Sequence, residues 1–483
     1  MKLKGLTRRN FIKRSSYLGS AAAIQSLGLS GLLAASKSYA SNDYKALVFI
    51  FLNGGNDAFN MLVPRSGTLR TDYETGRGIV ALPTNQLHTL NLSTPAQIYG
   101  GGTFSDFGFH PDCSDMADMF NAQEMSVVCN VGNLYEPTTR DQFLAGTTTL
   151  PPQLFSHADQ QRQFQSEPSL PFQFGWGGKL AELTNSYNSS GNVSPLMSLS
   201  GLNPFQVSQD PSLSTYVLGA DGLTSLWNYY GTRKTMVQQS MAGIDNNSHL
   251  MMQKYRGVFD SAINAEIVVN GAFTEADNNG VDYDAIFTAA GTNDSKISRQ
   301  LKTIARMIAG RASSGNNRPI YFVNVNGFDA HQNLLVDHSL LMAELNAAVK
   351  GFRDVLNAQG DFDKVLSFVG SEFGRTLTPN GNDATTGTDH AWGGHALLMG
   401  GMVNGGQLFG EHPDLQLDTG LDASEGRGRW VPTTATSQCV SVIANWFGVN
   451  QSDLPQLFPS LINFSDPFHA DANLDFFGSG GPV

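Results

Sequence analysis

Four short apolar runs punctuate the chain: Lys45 to Leu52 (KALVFIFL), Met125 to Val131 (MSVVCNV), Pro319 to Val325 (PIYFVNV) and Lys364 to Gly370 (KVLSFVG). Each ends in a polar or glycine-rich turn, and none alternates cleanly between apolar and polar positions. That pattern predicts strands buried on both faces rather than strands with one wet face. Between the last two runs, Leu340, Leu341, Leu345, Val349, Phe352 and Leu356 recur at helical spacing, which predicts a helix over Leu334 to Leu356 and hence a strand-helix-strand unit. The fold class expected is α/β, a doubly wound, mostly parallel sheet with helices on both faces. Ligands of such sheets bind beyond the carboxyl ends of the strands.

The middle of the chain breaks the pattern. Leu180 to Ser295 is rich in Asn, Ser, Gly and Met, with weak periodicity until a helical stretch over Ser298 to Ile308. Residues 180–295 are therefore expected to form a large insertion within one domain spanning 41–470, and 471–483 a loosely held tail. The first forty residues read differently again. Thr7-Arg8-Arg9-Asn10-Phe11-Ile12-Lys13 pairs arginines ahead of an apolar doublet and a lysine, a diluted apolar stretch follows from Tyr17 to Ala35, and Ser38-Tyr39-Ala40 suits a signal peptidase. Residues 1–40 are expected to be a twin-arginine signal peptide. The twin-arginine translocase would be a partner and the location periplasmic or extracellular. No later segment holds ~20 unbroken apolar residues, so no stable membrane span is expected after cleavage.

Charge sharpens this picture. The chain has 30 Lys+Arg and 42 Asp+Glu; seven basic and no acidic residues fall in the first forty, leaving 30 − 7 = 23 basic against 42 acidic, a net charge of −19. Such a surface repels nucleic acid, which needs a basic footprint, and a nucleic-acid role is not expected. Cys113, Cys129 and Cys439 show no metal-ligand spacing and are expected to be small buried residues, with one disulfide the alternative.

Candidate chemistry sits where the sheet rule wants it. Asn56-Asp57 follows the first apolar run, Asp329-Ala330-His331 the third and Glu372 the fourth, with Asp389-His390 and His395 beyond. Carboxylate with imidazole suits Zn²⁺ or Mn²⁺, and carboxylates alone suit Mg²⁺ or Ca²⁺. Each aspartate also has a plain reading as a turn or helix-cap residue, His395 as a core residue, and Glu372 as an ion-pair partner of Arg375. His110, His157 and His338 are expected to be structural.

The segments FLNGGNDAFN (Phe51 to Asn60), FGFHP (Phe107 to Pro111), SHADQQ (Ser156 to Gln161), GFDAHQN (Gly327 to Asn333), SEFGRT (Ser371 to Thr376), GTDHAWGGH (Gly387 to His395) and WVPTT (Trp430 to Thr434) resemble the ordered motifs of the domain of unknown function 1501 family. That family is similar in turn to the alkaline phosphatase and sulfatase superfamily. The resemblance implies an alkaline-phosphatase-like fold and a metal-dependent hydrolase of phosphate or sulfate esters, with a small-molecule or glycan-linked anionic ester as substrate. Carried over, it implies that Asp57, Asp389 and His390 hold one metal, and that Asp329 and His331, with His395, hold a second. It further implies Ser156 as nucleophile, Glu372 as an outer or third-metal carboxylate, and Arg375 as an anion clamp. Asn53 stands where the family usually has arginine, and Ala58, Ala158, Ala330 and Ala391 also depart from its pattern; no proposed ligand is lost. The alternative is a non-catalytic exported protein on the same fold, binding a glycan, an envelope component or a protein partner.

Overall fold

The structure is a computed structural model in which residues 43–166, 174–188, 193–222, 230–245, 247–292 and 294–478 are described. The expected signal, residues 1–40, lies outside them. The four apolar runs are strands: β1 (Ala46–Asn53), β2 (Met125–Gly132), β5 (Ile320–Asn326) and β6 (Val365–Gly370). Joining them are β3 (Leu196–Ser198), β4 (Tyr216–Val217), β7 (Gly394–Met399), β8 (Leu408–Phe409) and β9 (Thr434–Ala435). Together they form a nine-stranded sheet in the order β8-β2-β7-β6-β1-β5-β3-β4, with β9 also paired to β2. Its antiparallel pairings, among the described residues, are the two made by β7; those of β1, β3, β4, β5, β8 and β9 are parallel.

Both faces are covered, as the unbroken apolar runs require. Ala46, Val48, Ile50 and Leu52 of β1 pack in one core with Val269, Leu301, Ile304, Leu345 and Phe352. Leu47, Phe49 and Phe51 pack in the other with Trp176, Leu180, Ile443 and Phe447. The side chains alternate between faces because successive Cβ atoms of a strand point opposite ways. Phe49 is ringed by Phe164, Trp176, Phe205, Phe322 and Phe368 at centroid separations of 4.9–6.2 Å. The covering helices are α1 (His157–Gln165), α2 (Trp176–Thr184), α3 (Leu250–Asp277), α4 (Lys296–Ala309), α5 (Leu334–Ala358) and α6 (Thr436–Phe447).

Two expectations change. The stretch read as an insertion, residues 180–295, contributes β3 and β4 to the main sheet and α3 to its core; these strands are too short to register as apolar runs. The expected loose tail is anchored through residue 478. Leu474 and Phe476 are buried, and Asn404 donates its backbone N–H to the Phe476 carbonyl at 2.7 Å. Two apolar side chains close to the end of the chain cover the edge of the second core. The three cysteines are free and buried, and burial pushes their thiols up.

Burial also makes the protein acid-sensitive. Burial holds His110 and His412 down to about 4 and His338 down to about 3. Below the ordinary histidine value of ~6.5 the unfolded chain takes up protons that these native side chains refuse. Their stabilisation is intact above pH 6.5 and is lost as pH falls from there toward 4, at up to ~1.4 kcal/mol per pH unit for each histidine. His157, raised by its hydrogen bond to Glu372, works in the opposite direction, but burial also lowers His390 and His395, so the lowered rings outnumber it. Urea denaturation midpoints are expected to drop steeply between pH 6 and pH 4; a flat profile would show that these rings are not buried neutral.

Candidate metal centre

The carboxyl ends of β6, β1 and β5 lie side by side, so the turns that leave them meet. The turn after β1 is Gly54-Gly55, and Gly54 has φ +123°, where a Cβ would stand 2.4 Å from the Asp329 backbone nitrogen. Only glycine lets the first turn approach the third so closely. Gly54 donates its N–H to Glu372 Oε1 at 2.9 Å and accepts from Arg375 Nη1 at 3.3 Å, tying the turns after β1 and β6, and Arg375 Nη1 also donates to Asp329 after β5. β7 runs antiparallel, so its start lies at the same edge, and Asp389-His390 just before it joins the group. The first residue of α1, His157, completes it.

Four side chains converge. His157 Nε2 lies 3.0 Å from His390 Nε2 and 3.3 Å from Asp329 Oδ2. His390 Nε2 is 3.2 Å from Asp329 Oδ1. His331 Nε2 flanks them, 2.9 Å from His390 Nε2 and 3.0 Å from Asp329 Oδ1. The ligand atoms of His157, Asp329 and His390 all fall within 4.8 Å of one another. Neighbouring ligand atoms of a tetrahedral site with ~2.0–2.1 Å bonds stand about 3.3 Å apart, so these separations suit a single cation.

The opposite sides of the three rings set which nitrogen faces inward. His157 donates from Nδ1 to Glu372 Oε1 at 2.9 Å, His331 from Nδ1 to Asp389 Oδ1 at 3.0 Å, and His390 from Nδ1 to the Phe155 carbonyl oxygen at 2.7 Å. Each of those partners only accepts, so each neutral ring keeps its proton on Nδ1 and turns the lone pair of Nε2 inward. Three inward lone pairs beside a carboxylate repel one another without a positive charge among them. Histidine held at Nδ1 by a carboxylate or carbonyl is also the usual arrangement around a bound metal. The donor set fits a divalent cation of the Zn²⁺ or Mn²⁺ kind.

The surroundings tune these groups. Burial lowers His390. Burial pushes Asp329 up, but Arg375, donating from Nη1 at 2.7 Å, outweighs it and holds the carboxyl below its ordinary value. Asp389, pushed up by burial and pulled down by Arg427, Asn380 and His331, ends at about 2. The Phe373 ring packs on both His157 and His390 at 4.9 Å. The four side chains are 22–44% exposed, so one side of the centre faces solvent.

The residues singled out from sequence separate into three groups. Asp329, His331 and His390 meet at the centre. Glu372 and Asp389 orient its histidines instead of touching it, and Arg375 acts through Asp329. Arg375 is fully buried and also donates to Gly54, the Thr388 carbonyl and the Thr388 hydroxyl, so its fork is spent on protein and does not form the expected anion clamp. Asp57 and His395 lie elsewhere. Asp57 caps the turn at Asn60 and pairs with Arg77, both side chains being buried. His395 is a core residue against Phe59 and His412, its Nδ1 accepting from the Asn130 N–H at 3.1 Å. Among the described residues the proposed pair of metal sites thus collapses to one centre. Ser156 stands beside it, between Phe155 and His157, with its hydroxyl donated to Asp159 Oδ2 at 2.8 Å. His157, expected to be structural, is the residue that sequence reading missed. The available signal was its place next to Ser156 in the SHADQQ motif.

An outer carboxylate should therefore be felt at the centre. Glu372→Gln keeps the shape but removes the charge behind His157. Metal affinity, measured by competition with a chromophoric chelator, is expected to fall ~10–100-fold; an unchanged affinity would remove His157 from the ligand set.

A family model described as "Protein of unknown function (DUF1501)" matches residues 44–424. No curated protein matches the chain. Among solved structures, Ps i-CgsB in complex with k-i-k-neocarrahexaose is 10% identical, with 88% of this chain and 77% of that one covered and a TM-score of 0.31. The PsFucS1 sulfatase from Pseudoalteromonas sp. is 10% identical, with 77% and 66% covered and a TM-score of 0.28. A mutant of the alkaline phosphatase PafA is 11% identical, with 70% and 64% covered and a TM-score of 0.24. Likeness at that level carries no argument about the chemistry of this chain.

Proposed function

The chain belongs to the DUF1501 family, whose description names no activity, and we propose from the site that it is a divalent-metal-dependent hydrolase of phosphate or sulfate esters, exported by the twin-arginine route to the periplasm or beyond. The observation that carries the reading is the inward convergence of His157, His331 and His390 Nε2 on Asp329, with every Nδ1 held from behind. A catalytic metal site keeps a position open beside its protein ligands, and the exposed side of this centre leaves room for one.

When bound there, a divalent cation supplies Lewis acidity, polarising an ester oxygen and making a hydroxyl or water more acidic. Glu372, Asp389 and the Phe155 carbonyl hold the imidazoles in the tautomer that binds it. Arg375 fixes Asp329. Ser156 is the candidate nucleophile by motif resemblance, and Asp159, already its hydrogen-bond acceptor, is placed to take its proton. The ester class rests on that resemblance. Among the described residues no helix is long and apolar enough to cross a membrane; export rests on the sequence reading of residues 1–40.

The test is elemental analysis of protein purified from the periplasm, followed by assays on phosphate and sulfate monoesters and diesters before and after chelation. Bound divalent metal and a chelator-sensitive, metal-restorable ester hydrolysis are expected. Protein without metal would overturn the reading; protein with metal but no turnover across the panel would favour the non-catalytic binding role.

A further inference from the structure

With Arg375 spent on protein, nothing in the ligand set itself recognises an anion. The loop Asp418 to Trp430, which ends where the WVPTT segment begins, supplies what is missing. Asp422 has no exposed surface and organises the loop. Its Oδ1 accepts from the backbone N–H groups of Ser424, Gly428 and Arg429 at 3.0, 3.1 and 3.1 Å and from the Ser424 hydroxyl at 2.7 Å. Its Oδ2 accepts from the Asp418 N–H at 3.0 Å. A buried carboxylate satisfied by four backbone and side-chain groups on one oxygen fixes the loop's shape rather than leaving it mobile.

That loop delivers two cations to the rim. Arg427 pairs with Asp389 Oδ2 at 2.7 Å, and Asp389 is the carboxylate behind His331. Arg429 donates from Nε to the His390 carbonyl at 2.9 Å, and its guanidinium lies 4.8 Å over the Phe155 ring. Phe155 in turn accepts from His390 Nδ1, and it holds φ +70°, a left-handed conformation that a bulky residue adopts at a cost. Arg429, Phe155 and His390 therefore form a closed unit in which each member positions another. Both terminal amino groups of Arg429 make no hydrogen bond to protein among the described residues.

We propose that Arg429, with Arg427 beside it, is the anion-recognition edge of the metal centre and binds the tetrahedral oxyanion of the substrate, phosphate or sulfate. The fork of Arg429 is oriented before any ligand arrives, by the His390 carbonyl on one side and the Phe155 ring on its face. Preorganised guanidinium groups suit the several oxygens of such an anion better than a lysine would. This identification rests on the hydrolase reading for its role, but the binding itself can be measured without turnover.

Inorganic phosphate and inorganic sulfate are titrated by calorimetry into full-length mature protein, metal-loaded, for wild type, Arg429→Gln, Arg429→Lys, Arg427→Gln and the distant surface variant Arg299→Gln. Metal content is measured on each sample. Arg429→Gln is expected to weaken binding of the preferred anion about tenfold or more with metal content retained. Arg427→Gln should weaken it less, Arg429→Lys should recover part of the loss, and Arg299→Gln should leave it unchanged. Where an ester is turned over, the same variants should raise KM before they lower kcat, and the stronger of the two titrations names the anion. Anion binding unchanged in Arg429→Gln overturns the proposal while leaving the metal reading standing. Binding lost equally in Arg299→Gln reduces it to general charge and also overturns it. A wild type that holds no metal defeats the hydrolase reading instead.

Discussion

Replacing His157 by alanine is expected to lower divalent-metal affinity by more than ~100-fold, a larger loss than the ~10–100-fold that changing an outer partner costs. His157 is the one ring that reaches the centre from α1 and not from a strand-end turn, and it faces both His390 Nε2 and the second oxygen of Asp329. Without it Asp329 Oδ2 loses its partner at the centre, and the cation would retain ligands on one side only. Hydrolysis, where present, should fall with metal content and should not return on adding a tenfold excess of metal. Elemental analysis after gel filtration reads the outcome directly. Metal retained at the wild-type level by a folded His157→Ala protein would mean that the cation sits elsewhere, and the centre described here would be only a hydrogen-bonded cluster.

Asp57→Ala should do the reverse, destabilising the fold by ~3–5 kcal/mol while leaving metal affinity unchanged. Asp57 and Arg77 pair with side chains 1% and 0% exposed. Removing the carboxylate leaves a guanidinium buried with the Thr376 carbonyl at 3.4 Å as its remaining acceptor, and a buried charge without its partner is costly. Arg77→Met combined with Asp57→Ala removes both charges and should recover much of the loss. Denaturant midpoints measure stability, and chelator competition measures the metal. If Asp57→Ala loses metal at unchanged stability, the ligand role suggested by motif resemblance is the correct one after all.

The contrast between these two residues explains why the site was only partly legible in the sequence. Asp57, Asp329 and Glu372 look alike on paper, each an acidic residue in a turn after an apolar strand. Asp329 joins the candidate centre because the turn after β5 puts it against three imidazoles. Asp57 lies one position further into its own turn, where a helix ending in Arg77 meets it and neutralises it. Glu372 faces the back of His157 because Gly54 and Gln161 also claim its oxygen, donating at 2.9 and 3.0 Å. None of these competing partners is a neighbour in sequence. The same holds for His395, whose one-residue register on β7 turns it into the core with Phe59, away from the pocket edge.

Apolar runs and their periodicity, read alone, determined that the chain makes a largely parallel sheet covered on both faces, and that its chemistry gathers at one end of the strands. Those properties follow from local facts: strand propensity, the two-residue alternation of side chains, and the need to bury every apolar run. Tertiary structure decided which polar residues at that end converge on the candidate centre, which stand behind them, and which were spent on ion pairs in the core. It also brought His157, expected to be structural, into the cluster with Asp329 and His390. Coordination is a matter of a few ångströms among atoms that the chain separates by more than two hundred residues, from His157 to His390, and only the packing of α1 against the strand ends brings them that close.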